Sequence, residues 1–134
     1  MEIKMTEINS LYQKADWKTE KHVPVIEFLE KPKKDQPIAI SVCVGKEIPH
    51  PNTTEHHIEW IEIYFLPLEE KFPYLLGKFT FDAHGASVQG PNTSTVYTTP
   101  EVNCKIQTGK SGSVIVASYC NIHGLWTSSA DLNF

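Results

Sequence analysis

Ile58-Glu59-Trp60-Ile61-Glu62-Ile63-Tyr64-Phe65 decides the fold class. The run is rich in β-branched and aromatic side chains, which suit a pleated, half-buried surface. Glu59 and Glu62 give it mixed alternation, so it reads as a long strand from His57 to Leu66. Upstream, Ile38-Ala39-Ile40-Ser41-Val42-Cys43-Val44 lies between Pro37 and Gly45 and is mostly apolar, consistent with a buried strand. Val23-Pro24-Val25-Ile26-Glu27-Phe28 is another strand, closed by the charged turn Glu30 to Asp35. Downstream, Tyr74 to Phe81, Val102 to Gln107, Ser113 to Tyr119 and Gly124 to Thr127 fit further strands. The nine prolines and seven glycines are scattered and cut the chain into these short pieces. Short strands at fairly even spacing predict an all-β sandwich or barrel of about seven strands. A short irregular N-terminal segment precedes them, weakly helical near Ile8 to Lys14. The stretch from Tyr64 to Tyr74, with Pro67, Glu69, Glu70, Lys71 and Pro73, reads as a charged hairpin loop.

A chain of 134 residues is expected to form one domain, 1–134, with a core that needs no disulfides. The net charge is −4, and all twelve basic residues are lysines. The lack of arginine argues against nucleic acid as a partner, because arginine forks grip phosphates and guanines. No stretch approaches the roughly 20 consecutive apolar residues of a membrane helix. Met1 to Ser10 carries charges at Glu2, Lys4 and Glu7 and lacks the apolar centre of a signal peptide. A cytoplasmic location is expected on those grounds. The three cysteines, Cys43, Cys104 and Cys120, form no C-x-x-C pair, which argues against a rubredoxin-type or zinc-ribbon site.

The chemistry lies among the six histidines: His22, His50, His56, His57, His84 and His123. Cys120-Asn121-Ile122-His123-Gly124 follows an apolar strand. A thiolate and an imidazole at that spacing can turn onto one metal, while amide N–H groups of the turn point at the sulfur. Alone, the pair is equally a buried cysteine beside a surface histidine. His50 and His56 are separated by Pro51-Asn52-Thr53-Thr54-Glu55. Extended, that span is ~20 Å, too long for one metal. Turn formers Pro51, Asn52 and Thr53 can fold it back on itself. His56 then opens the long strand, with Ile58 and Trp60 on its face and His57 on the other, as a packing or solvent residue. Glu20-Lys21-His22 precedes a strand, and alone it is an ordinary charged turn.

Taken together, E-K-H, then H-P-x-x-x-x-H-x-I-x-W-I, then C-N-x-H-G resemble the superoxide reductases, also called neelaredoxins or desulfoferrodoxins. Here the three stand at Glu20 to His22, His50 to Ile61 and Cys120 to Gly124, and the resemblance runs from Trp17 to Trp126. It implies an immunoglobulin-like β-sandwich. It also implies one mononuclear iron per chain, cycling between Fe2+ and Fe3+. His22, His50, His56 and His123 would be equatorial ligands and Cys120 the axial one, with the sixth position open. A trans thiolate pushes electron density toward that position. The implied reaction is one-electron reduction of superoxide to hydrogen peroxide. Lys21 would attract the anion, and Glu20 would bind the oxidised iron. Two-iron relatives carry an added N-terminal four-cysteine domain, so a one-iron form is expected. An external electron donor, commonly rubredoxin, would restore the iron, and Lys18, Lys21 and Lys46 could form its docking edge. A homo-oligomer, tetramer or dimer, is implied as well.

The alternatives are a non-catalytic metal-binding module, zinc included, and a pure electron-transfer protein. Structural zinc prefers four ligands in a closed tetrahedron, whereas five ligands with an open position suit a redox metal. Cys43 and Cys104 are expected to be structural. His84 reads as a turn residue that could join a different metal site, although nothing pairs with it by spacing. Trp17, Trp60 and Trp126 are expected in the core or the site wall.

Overall fold

The structure, a computed structural model, describes residues 5–134, so Glu2 and Lys4 of the charged N-terminal run lie outside it. Seven strands follow in order: β1 (Pro24–Phe28), β2 (Ile38–Val44), β3 (Ile58–Pro67), β4 (Tyr74–Thr80), β5 (Glu101–Ile106), β6 (Gly112–Cys120) and β7 (Gly124–Leu132). One sheet has the order β1-β2-β5 and the other β4-β3-β6-β7. All these strand pairings are antiparallel. This is the all-β, immunoglobulin-like sandwich that the strand pattern and the resemblance led us to expect. Among the described residues no helix is long and apolar enough to cross a membrane.

The core follows from alternation. In β2, Ile38, Ile40, Val42 and Val44 are buried, and the residues between them are partly exposed. They cluster with Ile61, Ile63 and Phe65 of β3 and with Val114 and Val116 of β6. Each such side chain, fully buried, stabilises the fold by about 1.5–3 kcal/mol.

Three expectations need correction. Ile58 and Trp60 do not share a face, because the β3–β6 pairing shifts register between them. Ile58 is buried in the core, whereas Trp60 is half-buried and stacks on Tyr119, with ring centroids 5.8 Å apart. A bulge of this kind moves the side chains beyond it to the opposite face. The segment from Ile8 to Lys14 is not a helix beyond a single 3-10 turn at Ile8–Ser10. Gln13 instead pairs with β7: its N–H donates to the Leu125 carbonyl, and its own carbonyl accepts the Thr127 N–H, both at 3.0 Å. A free sheet edge offers those backbone groups partners, and an isolated short helix is marginal in water. Finally, β7 continues past Thr127 to Leu132 and pairs along all of β6. Its Ser128-Ser129 stretch carries little apolar signal.

What matters for the site is which strand ends coincide. Pro24 pairs with Val44, Ile58 with Cys120, and Cys120 with Gly124. The Ser128 hydroxyl donates to the Pro24 carbonyl at 2.7 Å and ties the two sheets together there. The starts of β1, β3 and β7 and the ends of β2 and β6 therefore gather at one end of the sandwich. Every candidate ligand lies in a segment that enters or leaves that end.

Candidate metal centre

His22 lies just before β1 and is buried, its ring stacked on the Trp126 indole at 4.9 Å and 11°. Cys120 ends β6 and is 1% exposed. His123 sits in the β6–β7 turn. Its backbone N–H points at the Cys120 sulfur at 3.4 Å. Gly124 follows at φ +81°, a conformation L side chains avoid, and this lets the chain reverse immediately after His123.

The segment from His50 to His56 folds back as its turn formers suggest. The two imidazole centroids are 4.8 Å apart, with the rings at 79°. The Thr53 N–H donates to the His56 carbonyl at 2.9 Å, and the Thr53 hydroxyl accepts the His56 N–H at 3.1 Å. Gly45, at φ +88°, lets His50 pass close by: a Cβ there would lie 2.5 Å from the His50 backbone nitrogen.

The ligand atoms of His22, His56, Cys120 and His123 all lie within 4.8 Å of one another. His123 Nδ1 is 3.1 Å from His22 Nε2 and 3.2 Å from His56 Nε2. The His50 ring is 4.8 Å from that of His22, and its Nε2 is buried with no partner among the described residues. The opposite nitrogens explain this convergence. His22 Nδ1 donates to the Glu20 carboxylate at 2.5 Å, and His50 Nδ1 donates to the Pro51 carbonyl at 2.7 Å. Each ring thereby spends its proton outward and turns the Nε2 lone pair inward. Lone pairs and a sulfur aimed at one volume repel one another unless a cation sits among them, so the donor set fits a metal ion.

Charge and burial support the same reading. Burial pushes His50 down to about 4, partly offset by its bond to Pro51 and reinforced by His22, His56 and the Lys21 ammonium. His56 is lowered first by burial and then by the neighbouring charges of His123, His22 and Lys21. Both are neutral near pH 7, as metal ligands must be. Burial tends to raise the Glu20 carboxyl, but the hydrogen bonds from His22 outweigh it and leave it lowered.

The other predicted residues divide clearly. Lys21 is half-buried beside the cluster. Lys18 and Lys46 both lie over the Trp17 ring, at 5.7 and 5.6 Å, and Lys46 also pairs with Glu27. Cys43 and Cys104 lie on β2 and β5 away from the cluster, and burial raises both thiols, which makes them poor nucleophiles. His57 stays out of the cluster. His84, which nothing pairs by spacing, is buried, and its ring stacks on His57 at 3.5 Å and 5°. No spacing rule reveals that contact, because it joins distant loops. One further residue, Gln13, went unnoticed in the sequence, and Trp126 lines the site wall as expected. Gln13 donates its side-chain amide to the His123 carbonyl at 2.8 Å, and Trp126 donates its indole N–H to the same carbonyl at 3.3 Å.

Comparison with known proteins agrees with this geometry. The Desulfoferrodoxin family model matches residues 14–129. A superoxide reductase of Pyrococcus furiosus is 53% identical over 125 residues, 93% of this chain and 98% of that protein. A neelaredoxin of Megalodesulfovibrio gigas is 50% identical over 119 residues, 89% of this chain and 92% of that protein. The solved structure of a superoxide reductase (neelaredoxin) from Archaeoglobus fulgidus in the reduced form superposes with a TM-score of 0.88. It has 57% identity and covers 92% of this chain and 99% of its own. The chain belongs to the desulfoferrodoxin family. Within that family its enzyme class is superoxide reductase.

Proposed function

We infer that the chain reduces superoxide to hydrogen peroxide at one iron held by His22, His50, His56, His123 and Cys120. The observation that carries this is the convergence of imidazole lone pairs and one thiol, with the outward nitrogens of His22 and His50 already bonded. When bound, iron supplies the single electron that superoxide accepts, by passing between Fe2+ and Fe3+. Two protons complete the balance: superoxide, one electron and two protons give hydrogen peroxide.

The chain's own residues do the rest. Lys21 places a positive charge beside the cluster of a protein whose net charge is −4, which favours arrival of a small anion. Glu20 holds the His22 proton at Nδ1 and so keeps Nε2 free. The family resemblance also gives Glu20 to the oxidised metal; in this structure its Oε1 carries the bonds to His22. The His123 N–H bond to Cys120 tempers the charge on sulfur.

An external electron-donor protein of the rubredoxin kind would dock at this edge. Lys18 and Lys46, gathered around Trp17, support that reading. Replacing Lys18 and Lys46 with glutamine is expected to slow reduction by the donor and to flatten its dependence on salt. Unchanged rates move the docking face elsewhere. The exposed Leu68, Phe72, Tyr74 and Leu75 around the β3–β4 turn support self-association into a dimer or tetramer, which sedimentation would read.

One set of measurements tests the central reading: metal content, the visible spectrum before and after oxidation, and product analysis with superoxide. The expected result is one iron per chain, a thiolate band on oxidation, and peroxide formed without dioxygen. A colourless zinc protein, or an iron that neither consumes superoxide nor binds azide, replaces it with a structural or electron-transfer module.

A further inference from the structure

The ligands arrive on separate segments, so something must hold those segments in register. Asn121, between Cys120 and His123, does this with its side chain. Its Oδ1 accepts the His57 N–H at 2.9 Å, and its Nδ2 donates to the Glu55 carbonyl at 2.8 Å. Its backbone N–H donates to the His57 carbonyl at 3.2 Å. The two groups gripped by the carboxamide are the peptide groups on either side of His56. In a regular ladder a partner strand's N–H and C=O would satisfy them. Here β3 begins only at Ile58 and β6 ends at Cys120, so among the described residues no strand reaches His56. The carboxamide carries the same donor and acceptor as a peptide and takes the place of the missing strand.

We propose that Asn121 is a positioning residue of the metal centre, whose side-chain amide locks His56 against the Cys120–His123 loop and fixes the distance between imidazole and thiolate. The proposal rests on the five-ligand reading above. The chemistry of the position is narrow. Aspartate has no donor for the Glu55 carbonyl, glutamine is one methylene too long, and alanine satisfies neither group.

A comparison of three variants tests it. Asn121→Ala removes both bonds, and Asn121→Ser restores one small polar group. Asn92→Gly is the control. Asn92 accepts the Thr54 N–H at 2.9 Å and donates to the Glu55 carboxylate at 2.8 Å, so it holds the same loop without gripping the peptides around His56. Its φ of 55° suits glycine. The readouts are the rate at which a chelator extracts iron, the position of the thiolate band, the reduction potential and the melting temperature of the metal-free protein.

Asn121→Ala is expected to lose iron about 10-fold faster or more, with a displaced band and potential. Asn121→Ser should fall between it and the parent, and Asn92→Gly should match the parent. Metal-free melting should fall no further for Asn121→Ala than for Asn92→Gly. Parental extraction rate and band in Asn121→Ala overturn the proposal, as do equal changes in Asn92→Gly. Failure of both Asn121 variants to fold overturns it too, by giving Asn121 a role in the whole fold. If the parent protein itself holds no iron or shows no thiolate band, the five-ligand reading fails instead, before any variant is compared.

Discussion

His56 and His57 are adjacent in the chain and belong to two different assemblies. His56 joins His22 and His123, with His123 Nδ1 at 3.1 Å from His22, 3.2 Å from His56 and 3.9 Å from the Cys120 sulfur, and the His50 ring lies 4.8 Å from those of His22 and His56. His57 stacks on His84, and in that pair every nitrogen faces an oxygen. His57 Nδ1 meets the Thr53 carbonyl at 2.9 Å, and Nε2 lies 3.6 Å from Glu59. His84 Nδ1 meets Asn52 Oδ1 at 3.2 Å, and its Nε2 meets the Phe81 carbonyl. The amide orientation of Asn52 is settled by its Nδ2, which donates to the Thr98 carbonyl at 2.9 Å. The surrounding charges differ as well: Lys21 stands beside the first group, Glu59 and Asp82 beside the second. Buried histidine alone therefore says little. What separates a candidate ligand from a structural ring is whether a nitrogen lone pair converges with those of other rings and a sulfur, or both nitrogens face oxygens that can only accept their protons.

The largest effect should come from the one sulfur. Cys120→Ser is expected to abolish the visible band and bring superoxide reduction below detection, while circular dichroism of the metal-free protein stays that of a β-sandwich. The side chain is fully buried at the end of β6, so a stability loss of about 1–2 kcal/mol accompanies the change. Full activity in this variant would remove Cys120 from the ligand set.

The comparison is broken most directly by exchanging the roles of His50 and His84. His50→Ala should weaken iron binding by 10-fold or more, because it removes a nitrogen aimed at the cluster, with a smaller cost to the metal-free fold, where it gives up one bond to the Pro51 carbonyl. His84→Ala should do the reverse. It strips two hydrogen bonds and a stacked ring from loops that converge near the site, at a cost of about 1–3 kcal/mol in chemical denaturation. Iron content and band position should then stay parental. Similar losses of iron in both variants would erase the distinction between the two histidine groups.

This contrast also marks how far the sequence could be read. β2, β3 and β6 are legible because each is a run of β-branched and apolar residues between turn formers, and such runs can be read without knowing their partners. The proposed ligand set is legible because Glu20 to His22, His50 to His56 and Cys120 to His123 form a joint pattern, although none of the three pieces is decisive alone. The fold-back of His50 to His56 follows from local turn chemistry at Pro51 to Thr53. Other features depend on partners far along the chain. The bulge that turns Trp60 outward is set by its pairing with β6. The extended course of Gln13 is set by the free edge of β7. The His57–His84 stack joins two loops, and Asn121 reaches back to Glu55 and His57. Nothing near those residues in the sequence announces the contact.

Acid sharpens the comparison further. The unfolded chain binds a proton at His50 near 6.5, while the folded metal-free protein resists it until about 4. The unfolded state therefore holds more protons in that window, and stability falls as the pH falls. The contribution of neutral His50 is whole above pH 6.5 and is lost between 6.5 and about 4, by ~3 kcal/mol. His84 is also lowered by burial, but its bond to Phe81 and the carboxylates of Glu59 and Asp82 oppose the shift. Urea unfolding of metal-free protein should accordingly become easier from pH 7 to 4. His50→Gln should flatten most of that slope, and His84→Gln little of it. An unchanged slope in His50→Gln would place the acid sensitivity outside the cluster.

Lys21 tests the smallest term, the charge that distinguishes the two surroundings. Burial and the neighbouring histidines lower His50 and His56, and the half-buried Lys21 ammonium beside the cluster adds to that lowering. The same field acts on an approaching superoxide anion. Lys21→Ala should slow the second-order reaction with superoxide by roughly two- to ten-fold at low salt. The gap should narrow as ionic strength rises, because the Debye length falls from ~10 Å at 0.1 M toward ~3 Å at 1 M. Lys78, paired with Glu62 at 3.5 Å on the outer face of the larger sheet, carries the same charge in a different place. If Lys78→Ala slows the reaction as much, only net charge matters. If Lys21→Ala alone does so, and loses its effect in salt, the position of the charge beside the histidine cluster governs the approach.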